Sequence, residues 1–195
     1  MIREVKNLVH IKNVFIDVHD KKNIVMLVDA LFKICRQVTI FSSGGTYSHL
    51  EIYFPLDVRD GKIILVSGYT GIPETDGGLS SIDLVIVDLY PFDKLVRKEG
   101  VTIEECRIHI DVLGPFALKS GATRYLEVMT IPTASAEGYD KFITKLSYQN
   151  GYSTLNMRLE GSRNTFKVLA EYDANIANFF DGLSFDTVLG TYKIE

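Results

Sequence analysis

Tryptophan is absent from this chain, and cysteine occurs only at Cys35 and Cys106. Two thiols so far apart, each among apolar or helix-forming neighbours, exclude a disulfide-stapled scaffold. They read as small buried thiols of a reducing compartment. Proline is scarce, at five residues, and nowhere gathers into a linker; internal repeats and low-complexity segments are missing too. No apolar run approaches the roughly 20 residues of a membrane span. The opening stretch 1–13 scatters its charges and has no small-residue cleavage site, so no secretory leader is expected. Strong charge of either sign is also lacking: the formal net charge of −4 argues against a surface that tracks a nucleic-acid backbone or an anionic membrane. His10, His19, His49 and His109 show no ligand spacing, and no metal site is expected. These absences point to a cytoplasmic protein without nucleic-acid or membrane partners.

What is present suits one buried core. The 195 residues are 46% hydrophobic and 24% charged, enough for one domain spanning 1–195 and short for two. Short apolar runs alternate with helical periodicity, the pattern of crossover units around a parallel sheet. Runs at 14–18, 38–42, 63–67, 83–90 and 128–132 predict five strands. Helices are predicted over 24–36, with Asp20 or Asn23 as cap, from Gly114-Pro115 onward, and through most of 136–180. The stretch 68–81 is rich in turn residues, and 182–195 reads as a closing strand or tail.

Ligands of such sheets bind beyond the carboxyl ends of the strands. Three loops fall there. The loop 17–23 carries His19, Lys21 and Lys22. The segment Ser42-Ser43-Gly44-Gly45-Thr46 gathers hydroxyls and exposed backbone N–H groups, either as a phosphate site or as a plain tight turn. In 109–115, Asp111 either caps the following helix or faces a ligand. Tyr90 ends a buried strand, which brings its hydroxyl to the ligand edge unless it is an ordinary half-buried aromatic. Of the histidines only His19 falls in a candidate site.

The order and wording of DVHDKKNI, SSGGT, SGYTGIPE, IDLVIVDLYPF, GVTIEEC, HIDVLGP and EYDANIANFF resemble the N-terminal cyclohydrolase domain of the bifunctional formyltransferase and inosine monophosphate cyclohydrolase. The resemblance covers about residues 12–195 and implies a methylglyoxal-synthase-like fold, a three-layer α/β/α arrangement with a mostly parallel five-stranded sheet. The formyltransferase domain is not expected in this chain. The resemblance further implies a site for a phosphoribosyl imidazole carboxamide, Tyr90 in the proton shuttle and Asp111 at the formyl-binding end. Backbone N–H groups near Val112–Gly114 would act as donors to the developing oxyanion. The implied nucleotide-binding set is His19, Lys21, Ser42, Ser43, Gly44, Gly45, Thr46, Tyr69, Gly114 and Arg124. No cofactor is implied; a homodimer is, and a separate formyltransferase is a candidate partner.

Departures from the family pattern sit in the same places. The family carries a lysine-bearing loop between its YTGFPE and LYPF motifs, where only TDGGLSS joins Glu74 to Ile82 here. A second family lysine, in an AAAKN segment, is replaced by Thr123; Arg124 stands beside it, one helical step of about 100° away. Asp17 and His19 stand where the family has serines, and an aspartate facing a phosphate repels it. Two readings follow: a cyclohydrolase-like enzyme in which His19 or Arg124 supplies the missing charge, and a nucleotide-binding or regulatory module that has lost the family lysines.

Overall fold

The computed structural model describes residues 4–67, 82–133 and 135–193. Five parallel strands form its centre: β2 (Asn13–Val18), β3 (Thr39–Ser42), β4 (Ile63–Leu65), β5 (Leu84–Asp88) and β6 (Met129–Ile131), in the order β4-β3-β2-β5-β6. Phe15 of β2 pairs with Phe41 on one side and Val85 on the other. Successive residues of a strand face opposite sides, and here both sides are covered, which is why the strands read as continuous apolar runs. Val14, Ile16 and Val18 join the core beneath α1 (Ile24–Ile34) and α7 (Ala136–Tyr148). Phe15, Val85 and Val87 pack with Ala117 and Leu118 of α6 (Leu113–Thr123) and Leu169 of α8 (Leu155–Asp181). The result is a three-layer α/β/α fold.

The remaining elements frame this unit. α2 (Gly44–Tyr53) and α3 (Pro55–Arg59) link β3 to β4, and α4 (Phe92–Val96) and α5 (Ile103–Ile108) follow β5. A short antiparallel ribbon pairs β1 (Leu8–His10) with β7 (Tyr152–Thr154). α8 closes the free edge of β6: a Cβ on Gly161 would lie 2.5 Å from the Thr130 carbonyl oxygen. Only a glycine lets the helix approach so closely. Covering the edge in this way removes a template for unwanted strand pairing.

At the amino edge of the sheet, polar groups are wired to one another. Arg158 is fully buried; it donates to the carbonyls of Tyr125 (3.1 Å), Asn7 (3.2 Å), Ser153 (2.8 Å) and Lys6 (2.7 Å). It thereby ties the β1–β7 ribbon to the turn between α6 and β6. Asp83 accepts the N–H groups of Lys12 and Asn13, each at 2.9 Å, and joins the starts of β5 and β2.

Two expectations need correction. Residues 182–193 are not a strand: Phe185–Thr191 form helix α9, because the Ser184 hydroxyl accepts the Thr187 N–H at its start. Neither Asp20 nor Asn23 caps α1 with its side chain; the Asp20 carboxylate accepts the Lys22 N–H instead. Cys35 and Cys106 are buried free thiols, and burial pushes Cys35 up to about 11. Among the described residues no helix is long and apolar enough to cross a membrane.

Candidate functional site

The chain leaves β2 toward β3 and β4 on one side, then returns to lay β5 and β6 on the other. Such a reversal of direction opens a crevice at the carboxyl ends of the two strands that flank it, here β2 and β5. His19 and Lys21 follow β2, Tyr90 follows β5, and the Gly44-Gly45 pair follows β3. Sequence order alone therefore delivers these residues to one edge.

The glycine pair opens α2. Gly44 has φ +48°, a backbone conformation that favours glycine. Among the described residues the N–H groups of Gly44 and Gly45 meet no acceptor, as the first turn of any helix leaves them. Lys21 stands beside them: a Cβ on Gly45 would lie 3.9 Å from its Nζ. The lysine donates to the Val18 carbonyl at 2.6 Å, which holds the ammonium over the bend.

The hydroxyls of this segment do other work. Ser42 is fully buried and donates to the Ile16 carbonyl at 2.8 Å, clamping β3 to β2; it does not face the crevice. Ser43 donates to Asp17 at 2.8 Å. Thr46, also buried, accepts the Val18 N–H at 3.1 Å and has Asp17 as an acceptor at 3.1 Å. Alternation along β2 places Asp17 on the same face as Phe15, and its carboxylate takes the donors that a phosphate was expected to use.

Tyr90 lies in a cluster of rings. It meets His19 edge-on at 4.8 Å between centroids and His109 at 5.1 Å. His109 was excluded from the site on sequence grounds, and the structure returns it there. Nδ1 lies 2.7 Å from the Glu105 carbonyl oxygen, an acceptor, which assigns a proton to Nδ1. The signal was its place two residues before Asp111.

Asp111 caps α6 by accepting the Gly114 N–H at 2.9 Å, and its own N–H lies 2.7 Å from the Tyr172 hydroxyl. Gly114 is required for packing: a Cβ there would sit 2.5 Å from Asp111 Oδ2. Burial pushes the Asp111 carboxyl above its ordinary range and the charge of Asp17 adds to this, while N–H groups of Gly114, Tyr90 and Leu113 pull the other way. The LYPF and YDANIANFF segments buttress this end, with Phe92 against Phe179 at 5.6 Å beneath Tyr90 and with Tyr172 holding the Asp111 backbone. The residues form a ring that one pair leaves open: Gly45 lies against Lys21, Lys21 donates to the His19 carbonyl, His19 meets Tyr90, the Tyr90 N–H bonds to Asp111, and Asp17 accepts from Ser43, while Asp17 and Asp111 meet only through the repulsion of their charges.

Arg124, an expected member of the site, does not join it. α6 is eleven residues long, about 16 Å at 1.5 Å per residue, and carries Arg124 to the amino edge, where it lies 3.7 Å from Glu127. Arg124 therefore does not supply the missing charge to this crevice. Tyr69 lies outside the described residues, as does the TDGGLSS stretch. Behind Lys21, an open cavity of about 540 Å³ adds Lys22, Lys94 and Asp88 to its walls. Burial raises the Asp88 carboxyl, against the pull of the Asp20 N–H that it accepts at 2.8 Å. Sequence reasoning missed Lys94 and Asp88. Among the described residues no group of three or more His, Cys, Asp or Glu side chains is placed to hold a metal ion.

The arrangement offers an anion seat of two amides and an ammonium, a set of ring faces for a planar heterocycle, and a carboxyl displaced toward neutrality for proton exchange. No protein-family model matches the chain. The crystal structure of ForH is similar in fold, with a TM-score of 0.65 and 21% sequence identity, over 87% of this chain and 97% of that one.

Proposed function

We propose that the crevice binds a ribosyl-linked heterocycle of the purine series, a phosphoribosyl imidazole carboxamide or a purine monophosphate, and assists closure of the formylated carboxamide ribotide to inosine monophosphate. The observation that carries this reading is the run of contacts that gathers Lys21, Gly44-Gly45, His19, Tyr90 and Asp111 at the carboxyl ends of β2, β3 and β5. The ligand's anionic end lies against the Gly44 and Gly45 N–H groups and the Lys21 ammonium. Its base lies toward His19, Tyr90 and His109.

In the closure, the carboxamide nitrogen bonds to the formyl carbon, and one nitrogen proton passes by way of Tyr90 and Asp111 to the formyl oxygen. The resulting carbinol loses hydroxide together with the second nitrogen proton, so one water leaves and a C=N bond remains. An amide nitrogen is a weak nucleophile; a positioned proton acceptor is typically worth about 100- to 10,000-fold. A raised carboxyl pKa suits a group that must exchange protons near neutrality.

One observation favours the second reading, a binding module without turnover. Arg124 sits at the far edge of the sheet, leaving the family's second lysine without a substitute from this part of the chain. Cytoplasmic location, a homodimer and a separate formyltransferase partner belong to the same proposal. The test mixes purified protein with the formylated carboxamide ribotide and follows ultraviolet absorbance as the purine forms. Turnover that is lost in Tyr90→Phe and Asp111→Asn supports the enzyme. A nucleotide that raises the melting temperature without turnover supports the module, and neither effect at millimolar ligand removes the nucleotide assignment.

A further inference from the structure

The side-chain donors of the bend are already engaged. Ser43 Oγ donates to Asp17 Oδ2 at 2.8 Å, and Thr46 Oγ1 lies 3.1 Å from Asp17 Oδ1. A phosphate arriving at the Gly44 and Gly45 amides meets the Lys21 ammonium, with the Asp17 carboxylate bound to the neighbouring Ser43. That carboxylate offsets part of the attraction that the helix N–H groups and the lysine hold for an anion.

We propose that Asp17 is a specificity-determining residue that tunes this seat away from phosphate, so that a nucleoside and its 5′-monophosphate bind the crevice with similar affinity. The inference rests on the functional reading given above. Asp17 acts in two ways at once. It withdraws the Ser43 hydroxyl, which would otherwise turn toward a phosphate oxygen, and it sets a negative charge against a dianion. Two charges a few ångströms apart near a protein surface interact strongly enough to change affinity by roughly 10- to 100-fold.

The test compares the wild-type chain with Asp17→Asn and Asp17→Ser, titrated calorimetrically with inosine and inosine monophosphate at one ionic strength. Asp17→Asn keeps the shape and an acceptor for the two hydroxyls, so a loss of folding in Asp17→Ser does not decide the outcome. For the wild type, the two dissociation constants are expected to agree within about threefold. In either variant, the monophosphate is expected to tighten by roughly 10- to 100-fold while inosine stays unchanged.

A wild-type preference for the monophosphate beyond about tenfold overturns the inference and leaves the nucleotide reading standing. The same holds if the variants tighten both ligands equally. Failure of both ligands to bind all three proteins at millimolar concentration overturns the nucleotide reading, and the inference with it.

Discussion

The two edges of the central sheet use charge in opposite ways. At the amino edge, Arg158 is buried with its donors distributed over four carbonyls, and Asp83 accepts two backbone N–H groups. Every one of those polar groups is satisfied by the chain itself. At the carboxyl edge, two helix N–H groups point at no described acceptor, a lysine is held over them, and a carboxyl is displaced from its ordinary range. What separates them is whether the hydrogen-bonding capacity is spent, and unspent capacity marks where a ligand is stabilised.

The comparison breaks most visibly at Arg158. Arg158→Met leaves four carbonyls, that of Ser153 buried and the others partly so, without their donor and is expected to cost about 3 kcal/mol. That corresponds to a fall of roughly 6 to 12 °C in melting temperature for a chain of this size. Calorimetry checks it, and the affinity of the variant that remains folded should be unaltered. A change in affinity with little change in stability would erase the distinction between the edges.

The matching change at the carboxyl edge is Lys21→Met. Its ammonium gives up two carbonyl contacts, to Val18 and His19, at an open site, so the expected stability change stays within about 1 kcal/mol. Affinity for inosine monophosphate should fall roughly tenfold, read by titration. A stability loss as large as that of Arg158→Met would make the lysine part of the scaffold.

The smallest effect sharpens the comparison through pH. Burial raises the Asp111 carboxyl in the folded chain, so the native state holds the proton more tightly than the unfolded one. The stability contributed by that proton is complete below the ordinary aspartate range, near about 4, and is lost as pH rises through the raised value. Asp111→Asn cannot ionise and still offers an oxygen to the Gly114 N–H. Its stability relative to the wild type should therefore rise over that window in denaturant titrations at a series of pH values. A constant difference would mean that Asp111 behaves as an exposed carboxylate.

The sheet was legible in the sequence because its strands are buried on both faces. Val14-Phe15-Ile16 and Leu84-Val85-Ile86-Val87 are apolar at every position, a pattern that needs no knowledge of the partner. The β1–β7 ribbon was not, since its strands are three residues each and their partners lie more than 140 residues away. Helix α9 was hidden because Phe185, Val188 and Leu189 carry no buried face. In the site, Lys21, Gly44, Gly45 and Tyr90 could be placed together because each follows a strand of one parallel sheet. Arg124 could not be placed without the length and direction of α6. His109 depended on how α5 turns into α6, and Ser42 on which way a hydroxyl points at a strand end. Asp17 was suspected as a repulsive neighbour, but only the structure shows that it binds the hydroxyls of the bend.

The most direct test of the account is a crystal of the wild-type chain soaked in inosine monophosphate. The expected result is density within the ring of contacts, the base against His19, Tyr90 and His109 and the ribose end at Gly44 and Gly45. Well-ordered ligand elsewhere, with that opening filled by Asp17 and water, would contradict it.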